Sequence, residues 1–392
     1  MQTKIKNSIT SIFEEIVSWR EHLHANPELS FKEENTASFI SAKLIEFGIS
    51  HPYRIADTGV IALIQGRDPN SKCIALRADM DALPITEANQ VPYKSKFDGR
   101  MHACGHDVHI ACLLGAAKVL QLLRNEFEGT IKLIFQPGEE LLPGGASILI
   151  NEGVLENPKV DKILALHVLP SMNVGQLGFK SGDYMAACDE MYLTVIGKGG
   201  HAAMPSQYLN PIPAMAKLLT ELNNFLDSMA NSSPYIFVFG DLHAYGATNV
   251  IPERAQAKGT FRTFDESWRS LMHLKLKTFV QEFLCENGLQ GELLIKKGYP
   301  FLQNEKKLTN QCAQYAKDYL GIDKVEDMDI RMTAEDFSFY SKKLPACLFR
   351  LGVRNESKGI VHGVHHPNFD IDDKALEIGA GTMAYLAIKL LD

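Results

Sequence analysis

Apolar residues recur at helical spacing from about Ile5 to Ala25 and again from Glu33 to Phe47, with Asn26–Pro27 separating the runs and Gly48 closing the second. Short β-rich runs come next, Val60–Ile64 and then Cys73–Ala78, which ends at Asp-Met-Asp (79–81). A helical pattern covers about Val108 to Phe127, with Asp107 placed to cap its start. Thr130–Phe135 reads as a buried strand stopping at Gln-Pro-Gly-Glu-Glu, and Lys162–Leu166 as another stopping at His167. This alternation predicts an α/β domain. Its polar residues gather where strands stop, the edge at which open α/β sheets bind ligands.

The pattern changes after about Tyr184. Glu190–Ile196 alternates as a half-buried strand, and Gly-Lys-Gly-Gly-His and a helix near Ile212–Met229 follow. Ile236–Ala244 and Ala255–Phe264 read as strands, about Glu266–Cys285 as a helix, and Glu292–Lys297 as a last strand. That β-α-β-β-α-β order predicts a ferredoxin-like α+β domain at 185–298, inserted into a body formed by 1–184 and 299–392. Helical patterns at about Glu305–Leu320, Ala334–Tyr340 and Asp373–Leu391 return the chain to that body.

Composition narrows the class. The chain has 392 residues, 45% hydrophobic and 22% charged, which is globular and long enough for two domains. A formal charge of −7 without a Lys/Arg-rich run predicts no nucleic-acid partner. No stretch approaches the ~18 apolar residues of a membrane span, and the N-terminal residues pattern as an amphipathic helix rather than a signal peptide. Seven cysteines, at 73, 104, 112, 188, 285, 312 and 347, show no paired spacing. That usage suits a reducing compartment, so a cytoplasmic location is expected.

The densest chemistry is His-Ala-Cys-Gly-His-Asp-Val-His at 102–109. If the chain is extended there, Cys104 and His106 project to one side, a thiolate–imidazole pair suited to Zn²⁺ and similar ions. A buried free cysteine beside surface histidines is the competing reading. Glu139 and Glu140 follow a strand end and point in different directions, so one can bind a metal while the other takes a proton from water; a solvated acidic turn would look the same. His167 caps an apolar strand, a position that structural histidines also fill. Val-His-Gly-Val-His-His-Pro-Asn-Phe (361–369) concentrates three more imidazoles, and Asp79 and Asp81 could orient ligating histidines. Together these supply one thiolate, one carboxylate and three imidazoles, enough for two metals, with Cys104 as the natural bridge.

In order, RADMDALPI (77–85), HACGHDVH (102–109), QPGEE (136–140), His167, GKGGHAAMP (197–205) and HHPNFDIDD (365–373) resemble the amidohydrolases of the aminoacylase and carboxypeptidase-G clan. Hippurate hydrolases, N-acyl-amino-acid deacylases and indole-acetyl-amino-acid hydrolases belong to that subfamily. The resemblance covers nearly the whole chain. It implies a zinc-exopeptidase-like catalytic domain with a mixed sheet, plus an inserted ferredoxin-like dimerisation (lid) domain. It also implies two divalent ions per subunit (Zn, Mn, Co or Ni), a homodimer formed through the insertion, and cleavage of small-molecule N-acyl amino acids to a carboxylic acid and a free amino acid.

By that resemblance Cys104, His106, Glu140, His167 and His365 are the metal ligands, Glu139 the general base, and Asp81 the acid supporting the metal site. His201 on the Gly-Gly-His loop would stabilise the oxyanion, and Asn249 and Arg262 would bind the substrate carboxylate. The subfamily usually shows His-Ser-Pro where this chain has His365-His366-Pro367, so His365 is assigned by spacing and His366 is the alternative. Two other readings compete: a non-catalytic metal-binding paralogue, and a cysteine hydrolase with Cys104 as nucleophile and His106 or His109 as base.

Overall fold

A computed structural model describes all 392 residues. They form two compact units, Met1–Tyr184 with Gln303–Ile330 and Asp336–Asp392, and Met185–Leu302 with Arg331–Glu335.

The first unit is built on an eight-stranded mixed sheet. Its order is Tyr53–Ile55, Gly59–Gln65, Thr130–Gln136, Cys73–Asp79, Lys162–Asn173, Ala346–Arg354, Leu177–Phe179, Val325–Asp327. Cys73–Asp79 pairs in parallel with both Thr130–Gln136 and Lys162–Asn173, and Gly59–Gln65 pairs antiparallel with Thr130–Gln136. The strands at the centre are buried at almost every position, which is why they read as continuous apolar runs rather than alternating ones. In register, Asp79 lies opposite Gln136 and Arg77 opposite Ala165, so the segments after three strands emerge side by side.

Several elements differ from the pattern-based expectation. The N-terminal helical run is two helices, Gln2–Ser11 and Phe13–Ala25. The strand expected to stop at His167 continues to Asn173, because Ala346–Arg354 pairs along it. Ala346–Arg354 itself, a buried central strand, was not anticipated, and of the helix expected at 334–340 only Ser338–Ser341 forms one. The helix of the 102–109 motif runs His106–Leu122, and Asp107 does not cap it. Gly105 holds the N-cap position, while the Asp107 side chain is buried in ion pairs with Arg20 and His24.

The second unit carries an antiparallel sheet in the order Tyr235–His243, Arg254–Thr263, Ala187–Ile196, Gln290–Lys297, with helices Pro211–Ser228 and Glu266–Glu286. In chain order this is β-α-β-β-α-β, the split βαβ arrangement. Ala187–Ile196 alternates buried and half-buried positions along its length, so one face points into a core of Leu193, Val195, Leu222, Phe261 and Leu276. No helix of the protein is long and apolar enough to cross a membrane.

Asp189 ties this sheet to the longer helix. Its buried carboxylate accepts from Arg269 Nε and Nη2, His273 Nε2 and the Gly298 amide, at 2.6–3.0 Å. Burial pushes its pKa up, but the bonds from His273 and Arg269 outweigh it and hold the value at about 2. That lies below the unfolded reference of roughly 3.9. The stabilisation is therefore complete above that reference and is lost as pH falls from there towards 2. Asp189→Asn should cost about 2–3 kcal/mol, because Arg269 and His273 lose a buried charged acceptor that they share, although Glu266 still pairs with Arg269. Urea unfolding at neutral pH and at pH 3 checks this: the gap between wild type and variant should shrink at the lower pH.

Candidate metal centre

The segment 102–106 is not extended. It turns through Cys104 and Gly105 and enters the helix at His106. Gly105 has φ +84°, and a Cβ there would sit 2.7 Å from Val168 Cγ2, so only glycine makes this turn against the neighbouring strand. The turn, rather than strand alternation, brings Cys104 and His106 together. Cys104 Sγ lies 3.5 Å from His167 Nε2, and the candidate donor atoms of Cys104, His106 and His167 all fall within 4.8 Å of one another. Cys104, Glu140 and His365 form a second such group, and His106, Glu139 and Glu140 a third.

Two of the ligand candidates, His106 and His167, are aimed by partners. His106 Nδ1 is 3.2 Å from Asp81 Oδ1, and His167 Nδ1 donates to the Val168 carbonyl at 2.8 Å, which leaves both Nε2 atoms facing the group. Asp81 also accepts from the amides of Glu139 and Glu140, each at 3.0 Å, and from Ser30 Oγ at 2.6 Å. The Gly138 amide donates to Glu33, so three consecutive amides of the 138–140 turn rest on two buried carboxylates. Gly138 has φ +61°, and the Phe31 ring fills the space a Cβ would need. Glu139 Oε1 accepts from the Asp336 amide at 3.3 Å, and Asp336 is itself held by Arg77, Gln136 and the Ala146 amide.

The structure distinguishes the two adjacent histidines. His365 has φ +64°, its amide donates to the Ala103 carbonyl, and its Nε2 lies 3.2 Å from Glu140 Oε1. His366 turns away: it accepts from the Asn368 amide and stacks on His362 at 4.3 Å. His201, Asn249 and Arg262 belong to the second unit. His201 is exposed, pairs with Val250 and accepts from the Ala203 amide; the Asn249 carbonyl accepts from Ala202; Arg262 Nη1 donates to the Met332 carbonyl.

The electrostatics of the group call for a cation. Burial raises the Cys104 thiol well above its ordinary pKa, and Glu140, Glu139 and Asp79 raise it further. Burial works against charge on His106, yet Asp79, Asp81 and Glu140 push it up to about 10. His106 Nε2 is buried without a hydrogen-bond partner, and Glu140 Oε1 has none of acceptable geometry, although His365 lies close. Orphaned donor atoms, clustered carboxylates and a thiol are the donor set that divalent ions of the zinc type take. The residues fit such ions.

Pattern reading did not find the supporting roles of Glu33 and Asp336, which lie outside the motifs, or of Gln136, which opens the QPGEE motif but was given no role. It noted Asp79 and His109 without pairing them. Here His109 Nδ1 meets Asp79 Oδ1 at 2.5 Å while its Nε2 accepts from the Val168 amide. His109 thereby holds the backbone amide of Val168, the residue whose carbonyl orients His167.

The description Peptidase family M20/M25/M40 matches residues 75–389. An N-acyl-L-amino acid amidohydrolase of Geobacillus stearothermophilus is 38% identical over 76% of this chain and 80% of its own length. An N-acetylcysteine deacetylase of Bacillus subtilis is 35% identical over 96% and 97%. Among solved structures, the Bacillus subtilis YXEP protein, described as a dinuclear metal binding peptidase from the M20 family, superposes with TM-score 0.82 at 32% identity, over 97% and 99%. The chain belongs to the M20/M25/M40 peptidase family. It is a metal-dependent hydrolase acting on amides.

Asp81→Asn replaces an acceptor oxygen with an amide that would face a backbone N–H of Glu139 or Glu140, or His106. Zinc affinity should fall by about 10–100-fold, measured by competition with a chromophoric chelator, while far-ultraviolet dichroism stays that of the wild type.

Proposed function

We propose that the protein hydrolyses the amide bond of N-acyl amino acids, releasing a carboxylic acid and a free amino acid, with two divalent ions per subunit. The observation that carries this reading is that Cys104 belongs to two donor groups, one with His106 and His167 and one with Glu140 and His365, while Glu139 lies beside them. A thiolate can bridge two cations, and these five side chains would hold them. Zn, Mn, Co and Ni all suit the set. The relatives named for N-acyl amino acids support the substrate class.

When bound, such ions supply Lewis acidity and make a water molecule easier to deprotonate. Glu139 accepts the proton of the attacking water and returns it to the leaving amine. Its carboxylate is oriented for this by the Asp336 amide, and its backbone by Asp81. Asp81 positions and does not touch substrate. The family resemblance supports His201 as the donor to the developing oxyanion, and Asn249 and Arg262 as the groups that take the substrate's carboxylate. It also supports reading 185–298 as a lid and dimerisation domain within a body of 1–184 and 299–392. Seven free cysteines are consistent with a cytoplasmic setting.

The cysteine-hydrolase alternative is disfavoured by the site. The Cys104 thiol is buried among carboxylates that oppose its ionisation, and His106 is committed to Asp81.

Two experiments test the proposal. Dialysis against EDTA should abolish hydrolysis of hippurate and N-acetyl amino acids, and Zn²⁺, Mn²⁺ or Co²⁺ should restore it; activity that survives metal removal sinks the reading. Glu139→Gln should keep its full metal complement while kcat falls by roughly 10²–10⁴-fold, read by elemental analysis alongside steady-state kinetics.

A further inference from the structure

His365 stands in an unusual position for a ligand candidate. Its backbone is left-handed, a conformation uncommon outside glycine although histidine, like asparagine and aspartate, adopts it more often than other residues, and its side chain is 51% exposed. Such a conformation persists only where the surroundings over-determine it. The local constraint is a single bond, from the His365 amide to the Ala103 carbonyl. The rest comes from the five residues that follow.

Asp370 is the anchor of that segment. Its Oδ1 accepts from Arg20 Nη2 at 2.8 Å and its Oδ2 from the Tyr93 hydroxyl at 2.9 Å. The Arg20 guanidinium lies over the Tyr93 ring, 4.8 Å from its centroid, so the two donors brace each other. The loop that carries Tyr93 adds a second row of bonds. The Ala88 amide donates to the Pro367 carbonyl at 2.8 Å, Asn89 Nδ2 to the Phe369 carbonyl at 2.9 Å, and Asn368 Nδ2 to Asn89 Oδ1 at 3.3 Å.

The other end of Arg20 explains why this matters for the site. Its Nε donates at 2.9 Å to Asp107, the residue next to His106 at the start of the helix. His24 shares the same Asp107 oxygen at 2.7 Å and reaches Glu87 at 3.2 Å. One fully buried guanidinium therefore references the His365 segment to the turn that carries Cys104 and His106. These groups come from four stretches of chain, and none of them is among the ligand candidates.

We propose that Arg20, Tyr93 and Asp370 form a positioning clamp that sets His365 opposite Glu140 and Cys104, so that retention of one of the two metals depends on it. The inference rests on reading His365 as a ligand. Arg20 and Asp370 act through the loop and touch neither substrate nor metal.

The test uses the full-length protein and zinc as the probe. Zinc affinity is measured by chelator competition, and the melting temperature on the metal-free protein, for Tyr93→Phe, Asp370→Asn, His365→Ala and the double variant D370N/H365A. Asp370→Asn should weaken one zinc equivalent by about 10–100-fold, and Tyr93→Phe should weaken the same equivalent to a smaller degree. Metal-free Tyr93→Phe should melt as the wild type does, Asp370→Asn should melt somewhat lower because buried Arg20 loses one of its two carboxylates, and D370N/H365A should bind no more weakly than H365A alone. A full additive loss in the double variant overturns the clamp, as does a zinc loss in Tyr93→Phe matched by a lowered metal-free melting temperature. Should Asp370→Asn fail to fold, Tyr93→Phe decides, and wild-type affinity there overturns it. Normal zinc binding in H365A overturns the ligand assignment and the clamp with it, whereas loss in H365A with none in D370N overturns the clamp alone.

Discussion

The site depends on one buried carboxylate. Asp81 is fully enclosed, and burial alone would drive it towards its neutral form. Four donors keep it charged: the amides of Glu139 and Glu140, the Ser30 hydroxyl and the His106 ring. The same bonds aim the imidazole and hold the turn on which both glutamates stand. Removing the charge would leave a ring and two amides without direction, in a buried region where an unmade bond is costly.

Around that point the charge is arranged in two opposite ways. Towards the helix and the sheet interior several buried anions meet fixed cations: Asp107 with Arg20 and His24, Asp79 and Asp336 with Arg77. Towards the donor group, Glu139 and Glu140 stand beside a thiol and imidazoles whose ligating atoms have no such partner, and the His106 pKa of about 10 expresses the resulting demand for positive charge. Protein cations cannot satisfy it there without blocking the ligating atoms. A small divalent ion can, which links the electrostatics of the fold to metal-dependent amide hydrolysis.

Rigidity is distributed to match. His167 is pinned through Val168, His106 through Asp81, and both sit on a strand or at a helix start. His365 is carried by an irregular segment instead, and its constraint comes from Asp370 and Pro367 further along the chain. A side chain on a loop needs this help, because no ladder of backbone bonds fixes its direction.

The sequence by itself was enough for the α/β body and for the β-α-β-β-α-β order of elements, and it nominated the candidate donors, since hydrophobic periodicity reports which face of an element is buried and the chemistry sits at strand ends in linear order. Alternation suggested that Cys104 and His106 share a face; the structure brings them together through the left-handed turn at Gly105 instead. Asp107, a capping residue by pattern, is buried with Arg20, which lies 87 positions away in the chain. Only the tertiary structure separates His365 from His366 in place, with Glu140 and Ala103 facing one and Asn368 the other. It alone revealed Glu33, Asp336 and the Ala346–Arg354 strand in their places. Periodicity is a local property of the chain, whereas the direction of a side chain and the partner of a buried charge are set by residues that folding brings from elsewhere.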